Sequence, residues 1–400
     1  MSLLPASLRD DFPALACPSP SGERLIYLDS AASALKPRVV IDTVADALGR
    51  YSSRVHRGVH YLSDEATERY EGARRKVAHW LGAQEHEVVF ARNTTTALQL
   101  VAQGWLRRGR VLVSSGDHHS SLLGWGQNGV ELLPLRDDGT PDVPACLTVI
   151  GSGNVAVVAV SHVSNVTGYR WNLRELADAV HAAGAILVVD AAQSAPHGPL
   201  DVAALGCDFL AFSGQKLGAP AGVGVLFGRS DLLPRLETRT RGGGVVEEVH
   251  GLQSTLKPVP WRFEPGTPPL EAVVGLGAAI DYLWDIDPAR IEPHVAHLRR
   301  LACERLASYK SVRILGTTAE TATGPISFAV DKASAHVLAR DLSDAYGICV
   351  RSGYHCAQPL HELTRFPPTL RLSFHIYNQP FELDRFFTAL ERLLAASVRL

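Results

Sequence analysis

The run Val155-Ala156-Val157-Val158-Ala159-Val160, answered further on by Ala185-Ile186-Leu187-Val188-Val189-Asp190, decides the fold class. Neither run alternates apolar with polar residues, which is how strands covered on both faces read. Between them, Asn172-Leu173-Arg174-Glu175 sets a capping residue three places before an acid, and Gly184 supplies a stop, so a helix spans about 172 to 183. Strand, helix and strand form one βαβ unit of a mainly parallel, buried sheet. Similar runs flank it at Val88 to Ala91, Arg110 to Ser114, Cys207 to Phe212 and Val223 to Phe227. After a loop-rich stretch from Gly242 to Pro269 come helices from about Leu270 to Trp284 and Pro288 to Tyr309. Strands near Val312 to Leu315, Ile326 to Val330 and Ile348 to Arg351, with helices at Ala335 to Tyr346 and Pro380 to Ala395, complete the chain. The plain reading is a large α/β domain followed by a smaller α+β domain.

Composition narrows the function classes. With 46% hydrophobic residues over 400, the chain can bury a large core. A formal charge of -2 and no long basic run argue against nucleic acid or an anionic membrane as partner. The first residues, Met1 to Asp11, include acids and a proline where a signal peptide needs a basic, then apolar, start, and no run reaches the roughly 18 to 20 apolar residues of a membrane span. The expected location is cytoplasmic. Six scattered cysteines show no paired metal-ligand spacing, so neither a disulfide framework nor a metal site is expected.

Several residues bear chemistry. Lys216 follows a buried-looking strand at the turn Ser213-Gly214-Gln215-Lys216, where a fold presents an amine to a carbonyl cofactor or simply sends a lysine to solvent. Asp190 ends a buried strand, where a carboxylate can meet a ligand or cap a turn. Asn93-Thr94-Thr95-Thr96 opens a helix and suits a phosphate, or an ordinary cap. His118 and His119 follow another strand; an imidazole there could stack on a ring or be plain polar surface. Cys356 stands in Arg351-Ser352-Gly353-Tyr354-His355-Cys356, where nearby positive charge favours the nucleophilic thiolate. Arg371 offers a carboxylate fork or a surface ion pair.

Together these residues resemble the class V aminotransferase superfamily of pyridoxal-phosphate enzymes, and most closely the cysteine desulfurases that supply sulfur for iron–sulfur cluster assembly. The likeness runs from Tyr27-Leu28-Asp29-Ser30-Ala31-Ala32 and Val55-His56-Arg57-Gly58-Val59-His60 through Thr94-Thr95, His118 and His162-Val163-Ser164-Asn165. It continues over Asp190 with Gln193, Ser213 with Lys216, and Arg262-Phe263-Glu264-Pro265-Gly266-Thr267 to Arg351, Cys356 and Arg371. The resemblance implies the type I fold of these enzymes, with a seven-stranded sheet. It also implies an N-terminal segment over 1–30 packing with the small domain, a cofactor-binding domain over 31–285 and a small domain over 286–400 carrying the cysteine.

By that resemblance Lys216 would link covalently to pyridoxal phosphate, Asp190 would pair with the ring nitrogen, His118 would stack on the ring and Gln193 would approach its hydroxyl. Thr94, Thr95, Ser213 and Gln215 would hold the phosphate, with Thr267 contributed by the other subunit of a homodimer. Asn165 and Arg371 would receive the substrate carboxylate, with Arg351 also binding substrate and His56 near the cofactor's substrate side. Lys216 would move protons and Cys356 would attack the sulfur of L-cysteine, releasing alanine and keeping a persulfide for a sulfur-acceptor protein. Two positions depart from the family: Gln215 replaces the usual histidine before the lysine, and Tyr354 stands where several relatives have another polar or histidine residue. The spacing from Cys356 to Arg371 resembles the branch with a compact cysteine loop. Gln215 leaves open a lyase acting on selenocysteine or a cysteine derivative; an aminotransferase or epimerase would not need Cys356, and a silent partner-binding subunit would not need the intact set.

Overall fold

The computed structural model describes residues 4–106, 108–126, 129–316 and 322–397. Seven strands, β1 (Val88–Ala91), β2 (Arg110–Ser114), β3 (Val130–Leu133), β4 (Val155–Ser161), β5 (Ile186–Asp190), β6 (Phe209–Ser213) and β7 (Gly224–Gly228), lie in the order β1-β7-β6-β5-β4-β2-β3. Only β7 runs against its neighbours; every other pairing in this sheet is parallel. The α/β class with a mainly parallel central sheet is thus the observed one. All residues of β5, β6 and β7 are buried, as their unbroken apolar runs require.

The helix read between the two opening strands covers Leu173–Ala182 (α2 below). Asn172 caps it by accepting the Glu175 N–H at 3.5 Å, and Gly184 takes a φ of 72°, a conformation that suits glycine. The helix Thr94–Gly104 (α1) follows β1. Apolar clusters cover both sides of the sheet: Leu112, Val158, Leu187 and Leu210 belong to one, Val111, Val157, Val188 and Phe209 to the other. Adjacent residues along each strand face opposite ways, so this split follows from the pleat.

A second core gathers Leu298, Ala302, Phe328, Leu372, Phe386 and Phe387 with Ile26 and Leu28 from the start of the chain. Its sheet comprises β8 (Val312–Leu315), β9 (Ile326–Val330), β10 (Arg351–Gly353) and β11 (Thr369–Leu372), antiparallel throughout in the order β8-β9-β11-β10.

Three local readings differ from the sequence. The single strand expected from Ile348 to Arg351 is divided: Ile348–Cys349 pairs in parallel with Ile26–Tyr27, and Arg351–Gly353 joins β11. The edge strand β3 was not legible, because Glu131 and Leu132 are exposed and the run lacks a buried signature. Within the loop-rich stretch, Val246–His250 and Gln253–Leu256 form an antiparallel ribbon whose residues are mostly exposed, so no core-facing alternation marks it.

Candidate active site

Parallel strands end level with one another, and their ends carry the chemistry. Ser161 of β4 pairs with Asp190 of β5, which pairs with Ala211 of β6. The start of α1 stands at one side of this edge, and β10 and β11 bring Arg351 and Arg371 over it. A cavity of about 220 Å³ results. Thr94, Thr95, His118, Asn165, Asp190 and Gln193 line it, together with Ser213, Gln215, Lys216, Arg351, Cys356 and Arg371. This is the crevice at strand ends where open α/β sheets hold ligands.

At one end the donors are neutral. The Thr94 N–H donates to Ser213 Oγ at 2.7 Å, and the two hydroxyls share a further bond at 2.6 Å. Thr95 and Ser120 hydroxyls meet at 2.7 Å. Asn93 does cap α1, but it does so by accepting the Thr96 N–H at 3.0 Å. The cap therefore leaves the Thr95 amide uncommitted at the positive end of the helix.

Lys216 closes the turn after β6, is half-buried and lines the cavity. Burial pulls its ammonium down to about 8, opposed by the Asp190 carboxylate and assisted by Arg371 and Arg351. The strand-end lysine thus opens onto the cavity. Asp190 accepts from Ser121 Oγ at 2.8 Å and from the Ala192 N–H at 2.9 Å, so it caps a turn and faces the cavity together. Burial brings His118 down to about 4, leaving a neutral ring whose Nδ1 accepts from the Ser120 N–H at 3.1 Å. Gln193 Nε2 donates to Ala31 O at 3.0 Å.

The opposite end is cationic. Arg371 is 2% exposed; it donates to Asp29 Oδ1 at 3.0 Å and to Asn165 O at 3.1 Å, while its Nε lacks a protein partner. The ion pair is real but interior rather than a surface one. Asn165 Nδ2 donates to His355 O at 2.7 Å, and its Oδ1 is likewise buried without a partner. Arg351 forms no ion pair among the described residues.

Cys356 and His355 have φ values of 58° and 52°, a left-handed pair of non-glycine residues that surrounding contacts must hold. His119 N–H donates to Cys356 O at 2.8 Å, and His119 Nε2 accepts from the Gln358 N–H at 3.4 Å. His355 Nε2 bonds Thr369 Oγ1 at 2.8 Å. Tyr354, 41% exposed, sits edge-on to His361 with 5.1 Å between centroids.

Two expected residues lie elsewhere in this chain. His56 bonds Glu71 Oε1 at 2.6 Å and borders a separate depression beside Gly266 and Pro268, the neighbours of exposed Thr267. Sequence reasoning passed over Ser120 and Ser121, quoted Asp29 without giving it a role, and left His119 as one of a histidine pair. Only His119, doubled with His118, carried a local signal; the others gain meaning from long-range pairing alone. A larger surface groove near Asp42, Lys76 and Asp281 contains none of the candidate residues.

The family model for aminotransferase class-V matches residues 26–386. The chain belongs to the class-V aminotransferase family. Within it, the chain is 41% identical to a probable cysteine desulfurase of Halalkalibacterium halodurans, covering 93% of this chain and 94% of that one. It is 39% identical to a cysteine desulfurase of Haloferax volcanii, covering 92% and 89%. An apo cysteine desulfurase structure from Thermococcus onnurineus superposes with a TM-score of 0.92 at 35% identity, covering 99% of each chain. A cysteine desulfurase from Escherichia coli, in an S-sulfonic acid form, superposes at 0.88 and 35%, covering 99% and 100%. In this class-V chain no described helix is long and apolar enough to cross a membrane, and no described cluster of side chains suits a metal ion.

Proposed function

We propose that the protein is a pyridoxal-phosphate-dependent L-cysteine desulfurase, converting L-cysteine to L-alanine and a persulfide on Cys356 that passes to an acceptor protein. The observation that carries this is one cavity holding the Lys216 amine, the Asp190 carboxylate, two arginines and the Cys356 thiol.

The residues fit the cofactor. Thr94, Thr95, Ser213 and Gln215 provide hydroxyl and amide partners for a phosphate at the start of α1. Asp190 provides a buried carboxylate for a ring nitrogen, and His118 a neutral ring for its face. Bound pyridoxal phosphate supplies an electron sink that labilises bonds beside the substrate nitrogen.

The chain's own groups supply the rest. Arg371 Nε, unmatched inside the protein, suits a substrate carboxylate at the cationic end, with Asn165 beside it. A lysine held near 8 is partly free amine around neutrality, so Lys216 can take up and return a proton. Cys356 Sγ forms a bond to the substrate sulfur as the substrate C–S bond breaks. The proton balance closes as L-cysteine plus thiol giving L-alanine plus persulfide.

The placing of His56 beside the Thr267 segment, away from the cavity, supports a homodimer in which each copy completes the other's site. The domain limits at 31–285 and 286–400 and a cytoplasmic location belong to the same reading. Purified protein should carry a visible cofactor band and release equal alanine and sulfide from L-cysteine with a reductant. Cys356→Ala should keep the band and lose the products. Undiminished turnover in that variant would point to an aminotransferase, and activity confined to selenocysteine or a cysteine derivative to the other lyase.

A further inference from the structure

A second, small chamber of about 10 Å³, room for one water molecule, adjoins the cavity. Lys216, Gln193 and Ala31 border both spaces. On its far side stands His375, 2% exposed, with Tyr377 stacked on one face at 5.3 Å between centroids and His197 edge-on at 6.3 Å. The imidazole faces the Lys216 backbone within interaction range, and neither ring nitrogen has a close, well-aligned protein partner.

The neighbours cannot satisfy it. Ser30 Oγ is bound to Tyr377 OH at 2.7 Å; Ser373 Oγ accepts the Ala31 N–H at 2.9 Å and lies 3.3 Å from Leu28 O; and Gln193 Nε2 donates to Ala31 O. A buried imidazole with both nitrogens unmet costs about 1–3 kcal/mol for each polar group, so such groups are nearly always bridged. A phenylalanine would fill the same stacking position without that cost, so apolar packing does not account for a histidine here.

We propose that the chamber is a structural water site organised by His375, and that His375, held in place by this water, acts as a positioning residue for the Lys216 turn. The water takes one imidazole nitrogen and leaves the other turned to the Lys216 backbone. It thereby fixes the amine-bearing segment from the side opposite the substrate. Burial brings His375 to about 3, so the ring is neutral and can donate from one nitrogen while accepting at the other. The charged or titratable groups around His375 are His197, His294 and Lys36; those around Lys216 are Asp190, Arg371, Arg351 and Cys356.

The role assigned to Lys216 rests on the proposed cofactor chemistry, so the test separates the two. Wild type and His375→Phe are compared by crystallography at high resolution and by absorbance titration of the cofactor band against pH, with His375→Gln as a second variant should the first not fold. The wild-type chamber should hold one water bonded to His375, absent in His375→Phe. Cofactor content should stay full while the titration midpoint moves by about half a pH unit, a factor of about 3, and His375→Gln should recover part of that shift. A dry chamber, or a fully loaded His375→Phe with an unmoved midpoint, overturns the inference. A wild-type protein with no cofactor band overturns the proposed function instead, and the wild-type water alone then decides the chamber.

Discussion

Arg351 and Arg371 stand directly opposite one another on adjacent antiparallel strands, and both line the same cavity. Like charges so placed repel; burial chiefly, with Arg351 adding to it against the pull of Asp29, lowers the Arg371 guanidinium from its usual value. Asp29 offsets only one of them. The pair is therefore arranged for an anion between its members. Arg351→Gln should raise KM for L-cysteine about tenfold, near 1.4 kcal/mol, without lowering the thermal midpoint. Arg371→Gln should lose both substrate binding and about 3 kcal/mol of stability, because Asp29 and Asn165 O lose their partner. Steady-state kinetics beside thermal melts distinguish the two, and an unstable Arg351→Gln would contradict the account.

Lys216 is held at about 8, below the usual lysine value of 10.5. Between these limits the unfolded chain binds a proton that the folded protein lacks, so this group's contribution to stability rises with pH from 8 to 10.5. Below 8 the burial cost is fully present. Cofactor-free Lys216→Met should thus melt higher than cofactor-free wild type at pH 7, with the gap closing toward pH 10. Calorimetry at the two pH values checks this.

His118 sits near 4, against an ordinary 6.5. The unfolded chain takes up the proton first, so stability present above 6.5 is lost as the pH falls toward 4. His118→Phe, which keeps an aromatic face, should lose less stability than wild type between pH 7 and pH 5 in urea titrations. Equal losses would place His118 outside the acid response.

His119 ties the Cys356 loop to the chain that carries His118. In His119→Ala the backbone bond to Cys356 O can persist, but the acceptor for the Gln358 N–H is gone. Loss of one such bond is worth about 1 kcal/mol, so persulfide formation in a single turnover should slow about fivefold. Cofactor content should not change. An unaltered rate would remove His119 from the positioning of Cys356.

If two copies complete each other's sites, Lys216→Ala and His56→Ala chains, each inactive alone, should regain activity when refolded together. Mixed dimers then contain one cavity with both residues intact. No recovery, with mixed dimers verified by mass, would confine His56 to a structural role beside Glu71.

Much of this molecule is legible in its linear order because its causes are local. The apolar runs at 155–160 and 185–190 declare a sheet covered on both faces, and Asn172 with Gly184 bounds the helix between them, since caps and periodicity act over a few residues. Lys216, Asp190 and Thr94 stand out for the same reason, each at the end of a strand or the start of a helix. What no local pattern contains is distance. The exposed strand β3 and the 246–256 ribbon lack a buried face, the run at Ile348 changes partner after two residues, and Ser121 meets Asp190 across 69 positions. The facing of Arg351 and Arg371, the unpartnered nitrogens of His375 and the separation of His56 from the cavity come only from tertiary packing. Strand register and burial are set by the whole core at once, and they determine which charges lose water and which side chains meet.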